Sequence, residues 1–290
     1  MEWEGREESS NVEDRRGISG KGMAIGGGGI GLLIVIAGMI FGFDPQKFLG
    51  GGGGPAGGGG DDGGGAPRKT DPAEDRLASF SKIIFRDTEL VWDEQFQKMG
   101  KTYTKPTLVL FTGKVETACG GADAAVGPFY CPGDSKVYID LSFYKVMEEK
   151  LKAGGDFARA YVIAHEVGHH VQRLLGYSAK ADDAKRSGRK EEANRASVRL
   201  ELQADYLAGV WAHYAQEKFK YLQPGDVENA LHAANNIGDD FLQKQARGRV
   251  VPDSFTHGTS KQRTRWFQEG FKTGDVKRAK LLFDLKYEEL

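Results

Sequence analysis

The sequence contains little cysteine and almost no net charge. Its 290 residues include only two cysteines, Cys119 and Cys131, and neither belongs to a C-x-x-C pair. This spacing argues against a zinc site built from cysteine. Forty basic residues against forty-one acidic ones leave a net charge of −1, so the chain lacks the strong positive field of a nucleic-acid-binding protein. We therefore expect no nucleic acid among its partners.

Charged residues are absent from residues 22–43, and the part from Ile30 to Phe43 is dense in Leu, Ile, Val and Phe. A run of this length is enough for a helix to cross a hydrocarbon core of about 30 Å. The rival interpretation is a cleaved signal peptide. However, the stretch before the apolar run is longer and more acidic than the N-terminal region of a signal peptide, and no clean small-x-small cleavage site follows the run. We predict an uncleaved transmembrane helix over residues 22–43.

The charges that flank this run predict its orientation. Arg15, Arg16 and Lys21 precede it, whereas Asp44 and Lys47 follow it. The positive-inside rule then places the N-terminus in the cytoplasm and the bulk of the chain in the periplasm or at the cell exterior. The sequence thus predicts a single-pass membrane protein.

Composition divides the rest of the chain. Residues 1–21 are polar and mixed in charge, which predicts a solvated cytoplasmic tail. Residues 44–69 include the glycine-rich run 50–65 and are typical of a flexible linker. Residues 70–290 form the predicted folded domain.

Within that domain, two short apolar strands over 107–111 and 136–141 enclose a glycine-rich loop that carries both cysteines. If the domain lies outside the cytoplasm, we expect a disulfide between Cys119 and Cys131; otherwise they are two ordinary thiols. Helical periodicity dominates elsewhere, so the predicted fold is α+β and mostly helical with a small sheet. The predicted helices are 71–100 with a break near Asp87, 143–153, 156–175 with Asp156 as N-cap, and 191–220 after a solvated connection over 178–192.

The strongest motif is His165-Glu166-Val167-Gly168-His169, an H-E-x-x-H pattern inside a predicted helix. The spacing puts both imidazoles on one face of the helix, where their nitrogens can hold one zinc ion. Glu166 projects beside the metal and can take a proton from a zinc-bound water. A chance match is the alternative, but the helix is otherwise apolar, and buried polar groups need partners or a metal.

A second pair of candidates, Glu201 and Asp205, lies on the helix predicted over 191–220. Crossing the two helices would bring Glu201 to zinc as the third protein ligand and leave the fourth position open for water. Asp205 would accept the far ring N–H of a zinc histidine. An exposed helix face is the alternative, although apolar neighbours such as Leu202 and Leu207 indicate burial.

The pattern H-E-x-x-H followed by E-x-x-A-D resembles the gluzincins, and further segments resemble the bacterial neutral zinc metallopeptidases. The resemblance extends from the N-terminal uncharged run to about Gly270. It implies a membrane-anchored, zincin-like domain, zinc as cofactor and peptidase activity on protein or peptide substrates. The segments that carry it are Gly127–Pro132, Val137–Leu141, Ile237–Asp240, Phe255–Gly258 and Gln262-Arg263.

The resemblance also implies roles outside the metal set. His257 is similar to the residue that stabilises the oxyanion in gluzincins, with a helix-entry residue bonded to backbone as the alternative. Arg263, Tyr138 and Tyr161 are weaker candidates for that role. The strand over 137–141 corresponds to the edge strand on which zincins bind extended substrate.

These observations favour a zinc-dependent peptidase in which Glu166 is the general base. One alternative is a non-catalytic envelope protein in which zinc only stabilises a docking module. Structural zinc sites are usually four-coordinate and rich in cysteine, which argues against it. A metal-dependent hydrolase of non-peptide bonds would use the same residues and stays open.

Overall fold

The computed structural model describes residues 1–17, 71–247 and 250–290. They form a mostly helical α+β fold, as predicted. The strands are β1 (Val12–Asp14), β2 (Thr107–Phe111), β3 (Lys114–Thr117), β4 (Gly120–Asp123), β5 (Phe129–Cys131) and β6 (Lys136–Asp140). The helices are α1 (Pro72–Lys98), α2 (Ser142–Glu149), α3 (Asp156–Leu174), α4 (Ser178–Arg186), α5 (Lys190–Phe219), α6 (Asp226–Asn236), α7 (Asp239–Arg247), α8 (Ser260–Thr273) and α9 (Leu281–Asp284).

The main sheet has the strand order β1-β2-β6-β5, and β3 pairs with β4 in a separate hairpin. β1 and β6 run parallel to β2, whereas β5 runs antiparallel to β6. β6 therefore lies between two strands, and the prediction that residues 137–141 form an edge strand is wrong. The edge on that side is the short strand β5, whose three residues carried too weak a sequence pattern to be predicted.

Three helices, α3, α5 and α8, pack closely against one another and carry the candidate metal ligands and their neighbours. The closest approach joins α5 to α8, where a Cβ on Gly270 would lie 2.0 Å from the Tyr206 carbonyl oxygen and one on Gly209 would lie 2.1 Å from that of Phe267. Only glycine leaves room for the two backbones at this crossing. The pair of glycines therefore sets the separation of α5 and α8.

Residues 1–17 pack against the domain and are not the solvated tail that the sequence predicted for this part of residues 1–21. Over residues 1–17, β1 joins the sheet beside β2, and Trp3 is buried at 4 % exposure. The charges that predicted a solvated tail are partly used in ion pairs with the domain, such as Arg6 with the buried Asp87 at 2.6 Å. Composition alone does not distinguish such pairs from solvated charges.

Three local predictions for the helices also need correction. α1 continues without a break at Asp87, because that side chain is buried and paired rather than in a turn. Asp156 begins α3 but does not cap it; its carboxylate accepts from the Trp3 indole at 2.9 Å and from Arg159. The connection predicted over 178–192 contains the helix α4.

The transmembrane helix predicted over 22–43 and the linker predicted over 44–69 lie outside the described residues. Among the helices of the described ranges, none combines the length and the apolar character needed to cross a membrane.

Asp87 should make the stability of the protein depend on pH. Burial raises its pKa to about 6, although the charges of Arg6 and then Arg86 act against the shift. The charge of Asp87 in turn raises the pKa of Tyr221. An acid whose pKa is raised in the folded state favours folding below its ordinary pKa of 3.8, and this contribution is lost as the pH rises through the folded-state value. Between pH 4 and pH 7 the loss amounts to about 2 kcal/mol of unfolding free energy.

Asp87→Asn should remove this pH-dependent contribution, so that the unfolding free energy of the variant in urea varies less with pH than that of the wild type. Equal pH profiles would contradict this assignment.

Candidate metal centre

The structure brings His165, His169 and Glu201 together. One ligand atom from each residue lies within 4.8 Å of the others. Glu201 Oε2 is 3.2 Å from His165 Nε2, and Glu201 Oε1 is 3.5 Å from His169 Nε2. Two imidazole nitrogens and one carboxylate oxygen are the donor set of many catalytic zinc sites, and they leave a fourth tetrahedral position open. The residues present therefore fit zinc.

Hydrogen bonds at the opposite ring nitrogens orient both imidazoles. His165 Nδ1 lies 2.8 Å from Asp205 Oδ1, as predicted for an acceptor behind a zinc histidine. His169 Nδ1 lies 2.9 Å from the Gln172 side-chain oxygen, and the Gln172 amide donates to the Leu200 carbonyl. In the neutral tautomer with the proton on Nδ1, each ring presents an unprotonated Nε2 on the side of Glu201, as metal binding requires.

A close helix contact explains why Glu201 reaches the histidines. A Cβ placed on Gly168 would lie 3.0 Å from the Ala204 carbonyl oxygen and 3.2 Å from the Ala204 Cα. The small residues inside the two motifs, Gly168 and Ala204, thus lie directly at the crossing of α3 and α5. A larger pair would separate the helices and move Glu201 away from the imidazoles.

Behind His165, Asp205 is the centre of a buried network. Its two oxygens accept from the Arg263 guanidinium at 2.8 and 2.9 Å, and the Tyr161 hydroxyl donates to Oδ1 at 2.5 Å. Both Asp205 and Arg263 are buried, at 0 % and 3 % exposure. Arg263 and Tyr161 are therefore anchors for Asp205 rather than the oxyanion donors that the sequence left as candidates.

The pocket holds two ionised carboxylates, Glu201 and Asp205. Burial alone would raise the pKa of Glu201, but the imidazoles of His169, His257 and His165 outweigh burial and hold it well below its usual range. Burial acts the same way on Asp205, yet Arg263 and His165 lower its pKa to about 2. Burial would lower the pKa of His165, but the carboxylates of Asp205 and Glu201 raise it to about 10. Two ionised carboxylates beside paired imidazoles favour a bound cation.

Glu166 lies beside this donor set and is not part of it. Its side chain is buried at 9 % exposure, and the backbone of Tyr130 on β5 hydrogen-bonds to it. Burial raises the pKa of Glu166 to about 7, with His165 acting against the shift. A carboxyl group with this pKa exchanges protons readily at neutral pH.

On the other side of Glu201, a loop before α8 presents His257. Its Nδ1 lies 3.1 Å from Asp239 Oδ1, while Asp239 Oδ2 accepts the backbone N–H groups of Thr256, His257 and Gly258 at 2.7, 2.6 and 3.2 Å. Burial would lower the pKa of His257, but the charges of Glu201 and Asp239 raise it. His257 is thus a fixed, readily protonated group at the site.

Two other side chains face away from the metal set. His170 directs its Nε2 to the Thr104 carbonyl, and its Nδ1 contacts the Tyr130 hydroxyl. Tyr138 donates its hydroxyl to Asp134 at 2.7 Å and is not an oxyanion donor.

Sequence reasoning missed the roles of Asp239 and Gln172. Asp239 belongs to the segment Ile237–Asp240, whose only signal in the sequence is the resemblance to the family. Gln172 follows His169 by three positions on the same helix, a spacing at which side chains are neighbours. That spacing was the available signal for Gln172.

The disulfide lies next to the site. Cys119 and Cys131 are joined, as expected for an oxidising compartment, with their Cα atoms 5.9 Å apart. Cys131 is the last residue of β5, the strand whose Tyr130 contacts Glu166. The cross-link therefore ties the edge strand to the loop before β4.

Gly270→Ala is expected to disturb the metal centre from a distance. The added methyl group would collide with the Tyr206 carbonyl, so α8 must move away from α5 and carry Arg263 off Asp205. We expect a loss of about 3 kcal/mol in stability together with weaker zinc binding. Thermal unfolding and zinc titration measure both effects, and Gln268→Ala on the exposed side of the same helix is the control. A variant as stable as this control would contradict the crossing argument.

Comparison with known proteins agrees with the geometry. Residues 1–281 match the family described as "Putative neutral zinc metallopeptidase". The chain is 50 % identical over 282 residues to the "Uncharacterized protein YpfJ" of Escherichia coli K12, covering 95 % of this chain and 96 % of that protein. It is 46 % identical over 183 residues to the "Uncharacterized protein Rv2575" of Mycobacterium tuberculosis H37Rv, covering 60 % and 61 % of the two chains. No solved structure matches.

The family match includes both halves of the metal site, the H-E-x-x-H helix and the helix of Glu201. The chain therefore belongs to the "putative neutral zinc metallopeptidase" family.

Proposed function

We propose that this protein is a zinc-dependent peptidase that cleaves peptide bonds with water. The observation that carries the proposal is the three-donor set of His165, His169 and Glu201, with Glu166 beside it. Zinc bound there would polarise the scissile carbonyl and lower the pKa of water at the open position. A site with three protein ligands and an adjacent carboxylate suits hydrolysis better than structural stabilisation.

Glu166 is the proposed general base. Its carboxylate takes a proton from the attacking water and then passes it to the leaving amine nitrogen. The hydrogen bond from the Tyr130 backbone and the burial of the side chain hold the carboxylate in one place. No other carboxyl group is needed, because Glu201 belongs to the donor set and Asp205 is fully engaged by Arg263 and His165.

The edge strand supports a peptide as the substrate class. Among the described strands β5 pairs with β6 alone, and its residue Tyr130 directs a backbone hydrogen bond to Glu166. An extended peptide that pairs with the free side of β5 would lie along the catalytic carboxylate. This role replaces the one that the sequence assigned to residues 137–141.

The test is hydrolysis of a quenched peptide mixture and of casein by the zinc-loaded full chain. We expect cleavage that a zinc chelator stops and added zinc restores, with about one zinc per chain. Tight zinc binding without cleavage of any peptide would contradict the proposal and favour the zinc-stabilised docking module. Cleavage of ester substrates alone would favour a hydrolase of non-peptide bonds.

His257 is proposed to stabilise the oxyanion, because Asp239 fixes its Nδ1 and leaves Nε2 available toward the site. His257→Ala should lower kcat roughly 100-fold or more, with a small change in KM and with zinc retained. His232→Ala, which alters an exposed histidine outside the metal centre, is the matched control. If KM rises while kcat stays unchanged, His257 binds substrate and does not act on the transition state.

A further inference from the structure

The N-terminal segment, residues 1–17, is an integral part of the domain. Its strand β1 pairs with β2 in the register Val12↔Leu108, Glu13↔Val109 and Asp14↔Leu110. Two more backbone hydrogen bonds extend the ladder, from Leu108 to the Asn11 carbonyl at 2.9 Å and from Arg15 to the Leu110 carbonyl at 2.7 Å. The segment thus supplies the outer strand of the main sheet.

The domain presents two buried carboxylates that contact this segment. Asp87 and Glu89 on α1 are each only 1 % exposed. Arg6 contacts Asp87 at 2.6 Å, while Ser9 and Asn11 donate to Glu89 at 2.8 and 2.6 Å. Arg86 on α1 is a further partner of Glu89, at 3.2 Å. Because buried carboxylates without such partners are strongly destabilising, α1 is adapted to the segment that covers it.

The segment also reaches the helix that carries the metal motif. The Trp3 indole donates to Asp156, the first residue of α3, and packs edge-on against Phe80 with ring centroids 5.2 Å apart. The family match includes the segment, since it begins at residue 1.

These contacts require residues 1–17 and the domain to lie on the same side of any membrane. The uncharged run 22–43 separates residues 1–17 from the domain along the sequence. A chain that crossed a bilayer once in between would put about 30 Å of hydrocarbon between them, and contacts such as that of Arg6 with Asp87 could not form. We propose that residues 1–17 and residues 71–290 lie in the same compartment, as one folded unit. The cytoplasmic tail facing an exported domain, predicted from the flanking charges, is incompatible with this arrangement.

The test is cysteine labelling of the full chain in cells. Glu4→Cys and Lys145→Cys each place one thiol at a matched exposed position, since these side chains are 70 % and 76 % exposed. A membrane-impermeant maleimide is applied to intact cells with a permeable outer layer and to lysed cells, and the wild type gives the background of Cys119 and Cys131. Both thiols should behave alike, either labelled in intact cells or labelled only after lysis. Labelling of one thiol alone in intact cells would overturn the proposal.

A second measurement tests the docking itself on the purified full chain at pH 8. Arg6→Ala leaves Asp87 without its closest cation and should lower the melting temperature by roughly 5–10 °C. Arg76→Ala is the control, because Arg76 also contacts the segment, through Glu4, but is 56 % exposed. Equal melting temperatures for Arg6→Ala, Arg76→Ala and the wild type would show that the segment is not docked and would overturn the proposal.

Discussion

Glu166→Gln is expected to abolish peptide hydrolysis while zinc stays bound, with kcat lower by roughly 1,000-fold or more. Glutamine keeps the shape of the side chain and its contact with the Tyr130 backbone, but it cannot take up a proton. The metal should remain because Glu166 lies outside the donor set of His165, His169 and Glu201. Zinc content and single-turnover cleavage of a quenched peptide measure the two effects.

The matched control is Glu148→Gln, which makes the same chemical change at a side chain that is 65 % exposed. It should retain both zinc and activity. Loss of zinc in Glu166→Gln would indicate that Glu166 helps to hold the metal, and full activity would require a different base.

Glu201→Gln should remove the metal itself. The amide carries no charge to balance the cation, and the pocket loses one of its two ionised carboxylates. We expect zinc affinity to fall by more than the 10–100-fold that typically follows loss of a partner behind a ligand. The fold should persist, because Glu201 is partly exposed, with 20 % of its side chain accessible. Competition with a fluorescent zinc chelator gives the affinity, and Glu191→Gln, an exposed position on the same helix, is the control.

Asp205→Asn should weaken zinc binding less than Glu201→Gln does and should lower stability more. Asp205 contacts His165 through one ring nitrogen and does not belong to the donor set, so zinc should bind about 10–100-fold more weakly and still be retained. Its loss of charge leaves the buried Arg263 without a counter-ion, which should cost about 3 kcal/mol of stability. Equal loss of zinc and equal stability in the two variants would contradict the assignment of Glu201 as a metal ligand and of Asp205 as a partner of His165.

The two helices of the site could be predicted because helical spacing is a local property. His165 and His169 lie four positions apart, as do Glu201 and Asp205, and an α-helix puts such residues on one face. Their meeting also has a signal in the sequence, since Gly168 and Ala204 stand at the crossing. The general architecture of the centre therefore follows from residues within short stretches.

The rest depended on contacts between distant parts of the chain. Arg6 and Asp87 form a pair only because β1 joins the sheet, and a polar segment gives no local sign of such docking. The strand order was equally out of reach, because the pairing of the three-residue strand β5 decides that β6 is internal. Asp239 holds His257 through a loop contact without periodic spacing.

The outer strand has a practical consequence for recombinant work. A fragment that starts at residue 71 would lack β1 and would present the unpaired backbone of β2 to solvent, with Leu108 and Leu110 on it. Exposed strand edges of this kind pair with other chains and promote aggregation. Poor solubility of such a fragment would then reflect a missing strand rather than an unstable metal centre. Fusing residues 1–17 to the fragment through a flexible glycine–serine linker should restore a soluble monomer.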